Sequence, residues 1–132
     1  MILGIGVDIL SLARIEGVIA RRGAARLAAR ICSARELAQF DELTGGEADT
    51  LRRAQLRFLA SRWAAKEAAY KALPFAVGWK QLELGYAPSG RPLLALAADP
   101  AAAGKQLPPV SLLATISHDA GVLVAAVVAQ GG

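Results

Sequence analysis

The chain has 132 residues, enough for one domain with a core of its own, and its 55% hydrophobic and 20% charged content excludes an intrinsically disordered chain. Net charge is +4, the isoelectric point is near 9.7, and no apolar run reaches the length of a membrane span. One cysteine, Cys32, excludes an internal disulfide and fits a reducing compartment; one Cys and one His fall short of a usual zinc ligand set, so any metal must be hard and oxygen-bound, such as magnesium.

In chain order, MILGIGVDIL lacks a basic segment and contains Asp8, so it does not read as a secretory signal. Its apolar run predicts a buried strand over 2–9. Ser11 is placed to cap a helix over 12–22, with Ile15, Val18 and Ile19 on one face. Gly23 interrupts that helix, and a second helical piece runs to Ile31. Ser33 is placed to cap a short helix, ARELAQF. Residues 43–50, LTGGEADT, read as a loop. A long helix follows over 50–73, and Pro74 stops it. KQLELGY (80–86) and RPLLALA (91–97) flank the turn signal APSG and predict a hairpin. Residues 99–109 form a connector with room for one helical turn. VSLLATI (110–116) and VLVAAVVA (122–129) flank SHDAG and predict a second hairpin, with Gly121 free to take positive φ. The order of elements is that of an α+β fold.

Three places carry candidate chemistry. Asp8 lies inside ILGIGVDIL, where an unpaired buried carboxylate is costly; it either caps the strand end in water or has a cation for a partner. Gly4 and Gly6 allow close backbone approach, but Ile9 stands where a dinucleotide-binding G-x-G-x-x-G needs its third glycine. On the long helix, Trp63, Glu67, Tyr70 and Lys71 share one side. Glu67 and Lys71 are spaced i, i+4 in the favourable order, whereas Arg62 and Lys66 are a like-charged i, i+4 pair. A carboxylate among aromatic and cationic groups suits a metal ligand beside cations that meet phosphates; the plain alternative is a salt-bridged surface. Ser117 and His118, in TISHDAG, can donate to phosphate oxygens.

Charge is also uneven. From Arg14 to Arg35 the basic residues are Arg14, Arg21, Arg22, Arg26, Arg30 and Arg35, against the single acid Glu16. Arg14, Arg22, Arg26 and Arg30 recur at multiples of four and form a drifting stripe. Such a surface suits an acidic protein or a polyanion, or it is a solvated basic face. Nucleic-acid binding is the rival reading, but two Trp and two Tyr make no aromatic–basic interleave.

Taken together, GIGVDILSLARI, RWAAKEAAYKAL and ISHDAG resemble the holo-acyl-carrier-protein synthases, the short class of 4′-phosphopantetheinyl transferases, over nearly the whole chain and in the right order. The Gly-x-Asp strand and the W-x-x-K-E-A-x-x-K helix are the specific parts. The resemblance implies a single transferase domain over 1–132, with an antiparallel sheet packed on a long helix. It implies Mg²⁺-dependent transfer of the 4′-phosphopantetheine arm of coenzyme A to a serine of an acyl carrier protein, releasing 3′,5′-ADP, for fatty-acid or polyketide synthesis. By position, Asp8 and Glu67 match the Mg²⁺ carboxylates, and Asp8, Glu67 and Lys71 the catalytic set. Arg62, Lys66, Lys71, Ser117 and His118 fall to coenzyme A binding. Arg14 and Arg22 fall to docking of the acidic carrier protein. A homotrimer with sites between subunits, free of nucleic acid and membrane, is also implied. The compartment is cytoplasmic, or the mitochondrial matrix in a eukaryotic source. LPFAVGW departs from the Gly-rich turn that follows the long helix in bacterial members; a family-like scaffold without activity is disfavoured by the retained Asp8, Glu67 and Lys71.

Overall fold

A computed structural model describes residues 1–99, 101 and 106–132. Strand β1 (Ile2–Ser11) leads into three short helices, α1 (Leu12–Arg22), α2 (Ala24–Ile31) and α3 (Ala34–Asp41). The long helix α4 (Ala48–Ala72) follows, then a 3₁₀ turn (Trp79–Gln81) and strands β2 (Leu82–Tyr86), β3 (Pro92–Leu96), β4 (Val110–Asp119) and β5 (Val122–Gly131). The α+β reading holds. Pairing is antiparallel throughout but divides into two sheets, β1-β5-β4 and β2-β3. β3 packs beside β4 without forming a ladder. No helix among the described residues is long and apolar enough to cross a membrane.

α4 lies across the three-stranded sheet, and small residues set how closely. Ala64, Ala65, Ala68, Ala69 and Ala72 are buried on the side that meets the sheet and core. Opposite them, a Cβ on Gly6 would overlap the Ala68 carbonyl oxygen, and one on Gly4 the Ala72 carbonyl oxygen. The glycines therefore serve backbone contact between strand and helix rather than a phosphate loop. That contact brings Asp8 under the last turns of α4.

β1 corrects the expectation of a fully buried strand. Gly6, Asp8 and Leu10 face α4, in register with Val127, Ala125 and Leu123 of β5. Ile5, Val7 and Ile9 face the other way and are 67%, 51% and 69% exposed. Their β5 partners Val128, Ala126 and Val124 and the half-exposed Leu113 of β4 extend an apolar outer face. An uninterrupted apolar run cannot tell two buried faces from one buried face and one open one.

Other boundaries moved for local reasons. α4 begins at Ala48, inside the expected loop. The expected strand start at Lys80 is a 3₁₀ turn, closed where Gly78 N donates to Gln81 Oε1 at 2.8 Å. The SHDAG loop shrinks to Ala120 (φ 51°) and Gly121 (φ 77°), the two positive-φ residues of a tight hairpin, so Ser117, His118 and Asp119 belong to β4. The α1–α2 break at Gly23 (φ 88°) is as expected. The connector expected over 99–109, with its helical turn, falls partly on residues 100 and 102–105, outside the described residues.

Candidate active site

The outer side of α4 gathers the first cluster. Asp8 points from β1 toward the helix, and Lys71 Nζ reaches back to it at 3.5 Å from Oδ1 while donating to the Val7 carbonyl at 2.9 Å. Glu67 lies one helical turn before Lys71 and makes no ion pair among the described residues. It lines a cavity of about 200 Å³ with Tyr70, Val77, Gly78 and Trp79. Asp8 Oδ2 is buried and has no hydrogen-bond partner among the described residues.

No group of three or more metal-ligating side chains exists among the described residues. Mg²⁺ is usually held by one or two carboxylates, with substrate phosphates and water completing its shell. Two oxygen donors on adjoining elements, one with an unpartnered buried oxygen, fit that requirement.

A second cavity, of about 290 Å³, lies where α4 meets the β4–β5 turn and β2. Arg57, Phe58, Arg62, Tyr86, Ile116 and His118 are among its walls. The Arg62 guanidinium lies 3.7 Å from the Phe58 ring centroid and 5.6 Å from that of Tyr86. It donates to Ser61 Oγ at 3.2 Å and to the Leu84 carbonyl at 3.4 Å. Burial pushes its pKa down, opposed by Tyr86 and Glu36. So Arg62 and His118, far apart in sequence, line one cationic and aromatic pocket. Ser117 does not join them. Side chains alternate along a strand, and Ser117, opposite Val124, lies on the apolar outer face of the sheet.

Lys66 is the clearest correction. It is 1% exposed, and its ammonium donates to the Ile31 carbonyl at 2.7 Å, the Trp79 carbonyl at 2.9 Å and Glu36 Oε1. All three donors are spent inside the protein, leaving none for a phosphate of coenzyme A. Burial pushes the ammonium pKa down, and Glu36 opposes the shift. The like-charged Arg62–Lys66 pair is thus balanced by a carboxylate that sequence reasoning missed. Glu36 is fully buried and also accepts from Ser33 N and Leu84 N, each at 2.9 Å. Its sequence signal was the S-x-x-E pattern of Ser33 and Glu36, which forms a capping box, but that pattern says nothing of burial.

The arginines of α1 and α2 do not form one continuous stripe, because Gly23 turns the chain between the helices. Instead Arg21, Arg22, Arg26 and Arg30 surround a cavity of about 450 Å³ floored by Val18, Leu27 and Trp63. Arg14 is exposed on α1 and stands over the Trp63 ring, 6.0 Å from its centroid.

Residues 4–116 match the family described as the 4′-phosphopantetheinyl transferase superfamily. The chain is 39% identical over 135 residues to the holo-[acyl-carrier-protein] synthase of an Anaeromyxobacter species, covering 99% of this chain and 98% of that one. The holo-[acyl-carrier-protein] synthase of Neisseria meningitidis superposes with a TM-score of 0.74 at 29% identity, covering 98% and 99% of the two chains. The Bacillus anthracis holo-(acyl-carrier-protein) synthase, solved in complex with CoA (3′,5′-ADP), superposes with a TM-score of 0.73 at 28% identity, covering 100% and 99%.

Proposed function

The chain belongs to the 4′-phosphopantetheinyl transferase superfamily, and from that premise we propose that it moves the 4′-phosphopantetheine arm of coenzyme A onto a serine of an apo-acyl-carrier protein, releasing 3′,5′-ADP. The observation that carries this reading is the Asp8–Lys71 pair one helical turn after Glu67, whose side chain lines a cavity, with a cationic, aromatic pocket on the same helix. The coenzyme A complex of the Bacillus anthracis relative supports the substrate.

In this reading the serine oxygen bonds to the phosphorus that carries the pantetheine arm, and the bond from that phosphorus to the ADP oxygen breaks. Glu67, directly or through a water, takes the serine proton. Lys71, held by Asp8 and the Val7 carbonyl, sets a positive charge against the 5′-phosphate oxygen on which 3′,5′-ADP departs. Asp8 and Glu67 would hold Mg²⁺, which when bound supplies charge neutralisation at the diphosphate. Arg62 and His118 take the nucleotide end, with Phe58 and Tyr86 as apolar walls. Arg14, Arg22 and their neighbours dock the acidic carrier protein, which electrostatic steering would bring in. The exposed face of Ile5, Val7, Ile9 and Leu113 is the surface that a homotrimer would cover. A cytoplasmic, reducing setting suits the single buried Cys32.

The test is incubation with apo-carrier protein, coenzyme A and Mg²⁺, followed by intact mass. A phosphopantetheine mass gain on the carrier is expected, and its absence overturns the reading. Sedimentation checks the assembly: a fully active monomer contradicts shared sites.

A further inference from the structure

We infer that Glu36, which lines neither cavity on α4, is a positioning residue for both of them; the inference rests on the transferase reading above. Its carboxylate is fully buried on α3 and is shared among three elements. The helix cap needs only one oxygen, the one that accepts from Ser33 N at 2.9 Å, and a glutamine would serve there equally well. The charge itself is used elsewhere. It meets Lys66, and it faces Arg62 Nε at 3.7 Å. These two cations lie one turn apart on α4 and would otherwise repel each other in the core.

Each cation then pins one cavity wall. Lys66 holds the Trp79 carbonyl at 2.9 Å, and Trp79 with Val77 and Gly78 walls the cavity of Glu67. The Trp79 ring also rests on Trp63, with centroids 5.2 Å apart, and Trp63 floors the arginine-lined cavity. Arg62, stacked on Phe58, walls the other pocket beside His118. Glu36 completes the clamp on β2, accepting from Leu84 N at 2.9 Å while Arg62 donates to the Leu84 carbonyl at 3.4 Å. Stability alone does not call for this arrangement, since apolar replacement of buried ion pairs is often neutral or stabilising. A shell that fixes the walls of a site does account for it.

Three variants separate positioning from mere folding. Glu36→Gln keeps shape and cap but removes the charge. Below its own melting temperature it should raise KM for coenzyme A and lower kcat, each by roughly tenfold, as losses of supporting groups around a site do. Glu36→Gln combined with Lys66→Met also removes the cation left without its partner. Its melting temperature should return close to that of the wild type while transfer stays impaired, because the Trp79 carbonyl remains unheld. Recovery of both kcat and KM along with the melting temperature overturns the inference. Lys66→Met alone supplies a readout independent of catalysis. The chain has only two tryptophans, Trp63 and Trp79, so emission reports their contact. A shifted emission supports the inference, and an unchanged one overturns it. Wild-type protein that transfers no phosphopantetheine sinks the transferase reading instead, and the emission result still stands by itself.

Discussion

Two neighbouring turns of α4 carry similar cations to opposite ends. Lys66 faces inward, fully enclosed, and spends its donors on Glu36 and two carbonyls. Lys71, five residues on, keeps half its side chain in water and meets Asp8 of β1. The first cation is spent on the protein's interior and the second stays open to solvent. The difference comes from the partner each finds across the fold, because both are lysines on one helix with apolar neighbours.

Removing the inner partner should have the largest effect. Glu36→Ala strands two buried cations and should cost about 3–5 kcal/mol in urea unfolding. A loss below about 1 kcal/mol, the range of exposed pairs, would erase the distinction between the two clusters.

Next comes the strand contact that assembles the outer cluster. Gly6→Ala forces a methyl against the Ala68 carbonyl and should destabilise by about 1–3 kcal/mol. Moving β1 off α4 should also separate Asp8 from Lys71 and depress transfer more than the stability loss explains. Activity assayed well below the melting temperature checks this.

Lys71→Ala sharpens the comparison from the other side. The pair it breaks is half exposed and screened, so unfolding should shift by less than about 1 kcal/mol. Transfer should nevertheless fall by roughly 100-fold, as when a group that stabilises developing charge is lost. A strong loss of stability with intact turnover would reverse the roles of the two lysines.

The smallest effect sits at Cys32, beside the inner cluster. Burial first, then the Glu36 charge, pushes its thiol from 9.0 up to about 11. Between those values the folded state keeps a proton that the unfolded chain gives up. The thiol's contribution is therefore complete below pH 9.0 and is lost as pH rises towards about 11. The stability gap between wild type and Cys32→Ala, measured against pH, should narrow over that window. Thiol alkylation should be slow in the folded protein and fast once urea is added.

Much of the local structure was legible. Alternation, caps and breakers placed α1, α2, α3 and both hairpins close to their observed positions, because Gly23, Ser33 and Pro74 act on adjacent backbone. The motif letters also placed Asp8, Glu67 and Lys71 among the site candidates, and the fold brings Asp8 and Lys71 together. Ser117 stays out of the His118 pocket for a strand reason. Placed in a loop, it could share a site with His118; placed in β4, it faces away from it.

By itself, the sequence determined the elements, the family and the residue types at the site, since each depends on short-range pattern. Only the tertiary structure decided which charges are interior. The Lys66–Glu36 contact spans 30 residues and the Leu84–Glu36 bond spans 48, separations that leave no periodic trace in the chain. Whether a cation is an anchor or a ligand depends on desolvation and on a partner brought from another element. The close seating of β1 on α4 and the open apolar face behind it were settled the same way. A Gly or an Ile in a strand declares its side chain, but the neighbour it meets is chosen by the whole fold.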